Sequence, residues 1–456
     1  MGRLFGTDGV RGITNTQLTP MLALRLGLAI GSFFGQGSRI IIGRDSRSGG
    51  DMISHAVMAG LQAAGVKVYY AGLTPTPALQ LAVRLEGFDG GIMITASHNP
   101  PEYNGIKVIS SLGVEIDRDK ERQIEEIFFS EKFRYASWRS LAEDVKTYQG
   151  VLDLYVTEVV KHVDRQIIAR KGFKVGVDCA NNVGSLTTPR ILRMLGVKPY
   201  TINCELSPFP SREPEPTPDS LQELRTMVRS LSLDLGVGHD GDADRAIIVD
   251  DKGEAWWGDR TAALLSAYVY EHKTPDAPPR VYTAVSSSVL VEEYLSRYGL
   301  EVKWTPVGAV NISYSLLREG GVSGFEENGG FMYPPHQLVR DGGITVALFL
   351  EMMARENVRA SELFQRLPRY YAVKTKLPME RDVALKAVEA VKDEYKKRGL
   401  RVIEIDGVKV FGEDWWVLVR PSGTEPVLRI MAEAVFPEKA EEIVKEVKEI
   451  IKSRIG

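Results

Sequence analysis

Residues 90–107, GGIMITASHNPPEYNGIK, decide how the rest of the chain is read. The run from Gly91 to Thr95 has the length and apolar composition of a strand buried on both faces, and the small polar residues before Pro100 end it. A serine just past such a strand lies where open α/β sheets present ligands, outside the carboxyl ends of their strands. Working outward, Thr19 and Pro20 open a helix. The strand Arg39–Gly43, a second helix and the strand Val66–Tyr70 follow. The alternation resumes at Lys174–Asp178, Leu233–Gly238 and Arg280–Val285. This pattern predicts an α/β protein with several parallel or mixed sheets.

A chain of 456 residues is too long for one hydrophobic core. The strand pattern lapses between about Ser137 and Gly150, and a long amphipathic stretch from Leu152 to Ile168 restarts it. Domains are therefore expected at 1–150, 151–252, 253–367 and 368–456. The proline-dense segment Ser207–Asp219 reads as a loop inside the second. The last unit reads as a smaller α+β domain. Its final helix places Ala440, Ile443, Val444, Val447, Ile450 and Ile451 on one face, opposite Lys and Glu.

With 44% hydrophobic and 26% charged residues the composition is globular, and a net charge of -3 gives no footprint for a nucleic acid. The apolar stretch Met21–Phe34 is too short to span a membrane and contains Arg25. The opening MGRLFGTDG lacks the pattern of an export signal. Cys179 and Cys204 have no metal-ligand spacing and are expected to stay reduced, which suits the cytoplasm. The sequence leaves open whether the chain works alone or as a homo-oligomer.

Five motifs carry chemistry. Ser97, in TASHNP, reads either as a nucleophile or as part of a hydrogen-bonded turn, and Lys107 brings a cation to the same loop. In HDGDADR, residues 239–245, three carboxylates at alternate positions between strands repel one another unless they share a cation. The loop is not an EF-hand, because Arg245 stands where that motif needs Gly and Asp251 where it needs Glu. Magnesium suits the loop, since it takes few protein carboxylates and shares oxygens with phosphate. In RPSGTEP, residues 420–426, small hydroxyl residues around a glycine let backbone N–H groups wrap a phosphate that Arg420 and Arg429 would pair with. GFEENGG, residues 324–330, offers carboxylates and an amide suited to sugar hydroxyls. FGTDGVRG, residues 5–12, is a glycine-rich loop carrying Arg11. Phosphoryl transfer on a sugar phosphate unites them. An aspartyl-phosphate type of sugar phosphatase, using the Asp240-Gly241-Asp242 run, and a non-catalytic sugar-phosphate-binding protein are the competing readings.

At these motifs the sequence resembles the α-D-phosphohexomutase superfamily, from the N-terminus to about Val435. The resemblance implies three similar α/β domains with mixed sheets and a smaller C-terminal α+β domain around a central cleft. It implies that Ser97 is phosphorylated and that Asp240, Asp242 and Asp244 bind magnesium together with an oxygen on Ser97. Lys107 and Arg11 would assist proton transfer and charge stabilisation, and Arg245, also counted as catalytic, would sit beside the aspartates. Glu326 and Asn328 would hold the sugar, and Arg420, Ser422, Gly423, Thr424 and Arg429 the non-reacting phosphate. A hexose 1,6-bisphosphate would be intermediate and activator, and small sugar phosphates the partners. Two positions depart from the bacterial pattern: Gly330 and Ala309 stand where relatives commonly carry histidine. His336 or Tyr333 folding back is one way the space could be filled.

Overall fold

The computed structural model describes residues 4–6, 8–141, 144–422 and 426–455. The helix Pro20–Phe34 begins as its residues dictate: Thr19 Oγ1 accepts from the Leu22 amide at 3.2 Å, and Pro20 takes the first helical position, where no amide donor is needed.

Three mixed sheets share one plan. In the first, Arg39–Arg44 lies between the parallel strands Lys67–Leu73 and Gly90–Ile94, and the antiparallel strand Tyr103–Ser110 follows the latter. Val10–Ile13 and Lys146–Thr147 close its two edges. In the second, Lys174–Asp178 lies between Lys198–Ile202 and Leu235–His239, with Ala246–Val249 antiparallel to the last. In the third, Arg280–Ala284 lies between Glu301–Thr305 and Ser323–Phe325, with Phe331–Met332 antiparallel beyond. The loops bearing Ser97, the three aspartates and Glu326 therefore occupy one topological position, the reversal after a parallel strand. The fourth sheet is antiparallel throughout, and its clamp loop joins Trp415–Pro421 to Val427–Ala434. The face named above for the last helix is the one buried, in Pro437–Ile455.

One buried apolar cluster runs through the first three units, and the helix Gly342–Glu356 is buried almost all round within it. Its cap, Asp341, accepts from the Ile344 amide at 3.0 Å and from Tyr155 Oη at 2.5 Å. The fourth unit docks on the third through Lys409, which is fully buried between the rings of Trp304 and Trp416. Its Nζ donates to the carbonyls of Val285 and Ser287 at 3.0 and 2.5 Å, and burial pulls its pKa down to about 7. Beside it Arg260 pairs with Glu433 at 3.1 Å, and Trp416 Nε1 donates to Glu433 at 2.9 Å. Among the described residues no helix is long and apolar enough to cross a membrane.

The amphipathic stretch Leu152–Ile168 forms two helices, Val151–Lys161 and Arg165–Lys171, and Asp164 caps the second by accepting from the amides of Gln166 and Ile167. One expectation is corrected. Cys179 and Cys204 are not free thiols but a disulfide. They follow the ends of the parallel neighbours Lys174–Asp178 and Lys198–Ile202, whose register sets Asp178 opposite Ile202 and so brings the two cysteines together. Non-reducing peptide mapping should recover this pair. Cys204→Ser should lower the unfolding free energy of the second unit by about 3.5 kcal/mol, the chain-entropy value for a closed loop of this length, read by denaturant titration.

Candidate active site

Ser97 has φ of 52°, a left-handed conformation that costs a non-glycine residue roughly 1–3 kcal/mol and persists only where surroundings impose it. They do so here. Its amide donates to Thr95 Oγ1 at 2.8 Å, and Thr95 Oγ1 donates to the buried Asp45 at 2.6 Å. Arg47, also buried, donates to the carbonyls of Ser97, Asn99, Pro100 and Tyr103 at 2.6 to 3.1 Å. The run Arg44-Asp45-Ser46-Arg47 was not singled out in the sequence. Its charge pattern just past a strand was the signal available.

The held hydroxyl of Ser97 donates to Asp240 Oδ2 at 2.7 Å. Asp240, Asp242 and Asp244 are all buried, with carboxylate oxygens within 4.8 Å of one another. Each is held by further donors. Asp242 Oδ2 accepts from Thr76 Oγ1 at 2.6 Å and from Lys107 at 3.4 Å, Asp244 Oδ2 accepts from Arg340 at 2.6 Å, and the Arg245 amide donates to Asp240 Oδ1 at 3.2 Å. Asp242 Oδ1 and Asp244 Oδ1 are buried without a hydrogen-bond partner among the described residues. Burial and the neighbouring aspartates push the Asp240 carboxyl well above its ordinary range. Burial acts upward on Asp242 too, but the Lys107 charge with hydrogen bonds from Asp240 and Thr76 outweighs it and holds that group low. Two carboxylate oxygens without hydrogen-bond partners, beside a third carboxylate, fit a hard divalent cation.

Lys107 meets Asp8 at 3.2 Å, Asp242 at 3.4 Å, Glu115 at 3.6 Å and Asp244 at 4.0 Å. Burial alone would favour the neutral amine, yet these carboxylates raise its pKa, so it stays a cation. Burial and Asp8 together push Glu115 up to about 8. Arg11 bonds Asp8 and Asn99. Arg245 pairs with Glu215 at 2.5 Å and reaches His98 Nδ1 at 3.0 Å. His98 Nδ1 also lies 3.2 Å from Ser97 Oγ, and burial with the Arg245 charge keeps it neutral.

The loop bearing Glu326 abuts the aspartate loop: the Ala246 amide donates to the Gly329 carbonyl at 3.0 Å. Glu326 accepts from the Gly308 amide at 3.1 Å and from Arg340 at 2.8 Å. Asn328 turns inward on its own loop and accepts from the Gly330 amide at 3.2 Å. Arg420 pairs with Asp406 at 2.9 Å, and Asp406 also accepts from the Val307 amide at 3.2 Å, tying the clamp to the segment beside Glu326. Ser422 and Arg429 flank this loop, while Gly423 and Thr424 lie outside the described residues. Neither His336 nor Tyr333 folds back toward Gly330: His336 bonds Asp341 at 3.0 Å, and both rings face His162. Arg340 takes the space instead, and sequence reasoning missed it. Ala309 lines a gap shared with Glu115, Asp244 and Arg340.

The fold and site define a phosphoryl-transfer enzyme built from four units. Comparison with known proteins agrees. The family described as phosphoglucomutase/phosphomannomutase matches in four parts: alpha/beta/alpha domain I over residues 2–135, domain II over 153–253, domain III over 257–371 and the C-terminal domain over 372–450. A phosphoglucosamine/phosphogalactosamine mutase of Sulfurisphaera tokodaii is 53% identical over 100% of both chains. A phosphoglucomutase/phosphomannomutase of Thermococcus kodakarensis is 40% identical over 98% of this chain and 97% of its own. A solved structure of a phosphoglucomutase/phosphomannomutase family protein from Burkholderia thailandensis superposes with a TM-score of 0.87 at 25% identity, over 99% of this chain and 97% of that one. The chain belongs to the phosphoglucomutase/phosphomannomutase family of phosphohexomutases. It is an intramolecular phosphotransferase.

Because Arg47 fixes the carbonyls around Ser97, Arg47→Met should lower kcat for conversion of a hexose 1-phosphate by ~100-fold while KM moves only a few-fold, the signature of a misplaced reacting group. Steady-state kinetics on the folded variant checks this.

Proposed function

We propose that this mutase interconverts the 6- and 1-phosphates of glucosamine, tolerates glucose, mannose and galactosamine phosphates, and works through a phosphoserine at Ser97 with one magnesium ion. The observation that carries the reading is the junction of Ser97 Oγ with Asp240 at 2.7 Å, next to two buried carboxylate oxygens without a hydrogen-bond partner among the described residues. Asp240, Asp242 and Asp244 would hold the ion. Magnesium, when bound, supplies positive charge to phosphoryl oxygens as they transfer.

The sugar hydroxyl attacks the phosphorus of phospho-Ser97, the bond from phosphorus to Ser97 Oγ breaks, and the hydroxyl proton passes to the Ser97 oxygen. A hexose 1,6-bisphosphate results. After it turns over in the cleft, the same exchange in reverse returns its other phosphoryl group to Ser97. Lys107 stays protonated and, with Arg245 and Arg11, offsets the charge that develops. Glu326, with Asn328 on the same loop, reads hydroxyls remote from C2. Arg420, Ser422, Gly423, Thr424 and Arg429 grip the phosphate that is not reacting. The family relation to a glucosamine/galactosamine phosphate mutase supports the amino-sugar choice. Because Glu326 reads hydroxyls remote from C2, tolerance at C2 is expected. The aspartyl-phosphate alternative loses ground because Asp240 and Asp242 are spent on Ser97, Thr76 and Lys107. A cytoplasmic setting suits phosphorylated sugars, and intracellular disulfides like Cys179–Cys204 have precedent in hyperthermophiles.

Intact-mass analysis and peptide mapping should place an acid-stable phosphate on Ser97, and Ser97→Ala should abolish turnover; an acyl phosphate on Asp240 would overturn the assignment. Chelation should stop turnover reversibly without unfolding the chain, followed by activity and circular dichroism, with magnesium restoring it. Across the glucosamine, galactosamine, glucose and mannose 1-phosphates, kcat/KM should stay within about a thousandfold, roughly 4 kcal/mol of differential transition-state binding.

A further inference from the structure

Arg340 belongs to none of the five motifs, yet it joins two of their loops. Its side chain is 6% exposed. Nη1 donates to Glu326 Oε2 at 2.8 Å, Nη2 donates to Asp244 Oδ2 at 2.6 Å, and Asp8 lies 3.9 Å away. A guanidinium is a rigid fork, so fixing it on one carboxylate fixes where it holds the other. Its stem lies across Gly330, where an added Cβ would overlap Cδ and Cγ of Arg340. Gly330 is not among the residues with positive φ. Its backbone therefore does not demand glycine; the room for Arg340 does.

We infer that Arg340 is a positioning residue that sets the sugar-reading carboxylate of Glu326 and couples it to the metal loop, and that Gly330 is the space this requires. The inference rests on the sugar-phosphate reading above. Glu326 has one oxygen on the Gly308 amide and the other on Arg340, and each oxygen keeps a lone pair for a substrate hydroxyl. Arg340 retains further N–H donors beside them. A vicinal diol bound there meets an acceptor and a donor side by side, so the chemical class selected is a hexose phosphate with adjacent hydroxyls away from the reacting ends.

The test is a double-mutant cycle, free of turnover, in a Ser97→Ala background with glucosamine 1-phosphate as the titrant in calorimetry. Arg340→Ala and Gly330→Ala should each weaken binding by about tenfold or more, and the two together by no more than about twofold beyond Arg340→Ala alone, because both remove the same interaction. In the enzyme retaining Ser97, Arg340→Lys should raise KM with kcat less affected and change the ratio of kcat/KM for glucosamine to galactosamine 1-phosphate. A merely structural role would depress both epimers equally. Multiplicative effects of Gly330→Ala and Arg340→Ala, or an unchanged epimer ratio in Arg340→Lys, would overturn the inference. Should Arg340→Ala fail to fold, Gly330→Ala and Arg340→Lys supply the same readouts, with unchanged affinity in both as the overturning result. Absence of any hexose-phosphate binding by the parent protein is a different failure, and it would sink the sugar-phosphate reading itself.

Discussion

Three aspartates buried on one short loop repel one another, and the assembly of this molecule is arranged around satisfying them. No single unit does so. The first supplies Ser97, Thr76 and Lys107, the second supplies Arg245 from the loop itself, and the third reaches in with Arg340. These contacts occupy both oxygens of Asp240 and one each of Asp242 and Asp244, leaving Asp242 Oδ1 and Asp244 Oδ1 without a hydrogen-bond partner among the described residues, so the electrostatic requirement of the loop also orients it. A buried charge left without a partner is expensive, which makes the relative placement of three units a condition of the site.

The repeated sheet plan explains how such convergence arises. A loop after a parallel strand emerges at the carboxyl end of the sheet, where neighbouring crossovers leave a crevice. In all three mixed sheets the chain reverses there into an antiparallel strand, so each unit presents one short loop in an equivalent place. The strained backbone of Ser97, and of Ala243 at φ of 59° in the metal loop, sits in these reversals. Strain there persists because neighbouring elements overdetermine it, as Arg47 does with four carbonyls.

The fourth unit solves a different problem. It is a separate antiparallel sheet with its own core, and it must still be joined to the other three units. Lys409, enclosed by two indoles and donating to two carbonyls, anchors it to the loop after Arg280–Ala284, and the Glu433–Arg260 pair lies alongside. Asp406 carries the connection onward, since it binds Arg420 of the clamp and the Val307 amide near Glu326.

The sequence by itself determined the buried central strands of the mixed sheets, the cap at Thr19, the buried face of the last helix and the loops bearing Ser97, the three aspartates and Glu326, because periodicity, capping and clusters of like charge are local; it did not single out strands such as Tyr103–Ser110, Lys198–Ile202 and Glu301–Thr305. It misread what depends on contacts across the chain. The pairing of Cys179 with Cys204 follows from the register of two parallel strands, not from spacing between cysteines. The grip of Arg47 on the serine loop joins residues some fifty positions apart, and that of Arg340 on Asp244 joins residues 96 apart. The role of Gly330 is visible only once the arginine stem crossing it is seen. A charged side chain reads the same on a surface and in a buried pair until folding brings its partner, so only the tertiary structure decided which arginines hold the site.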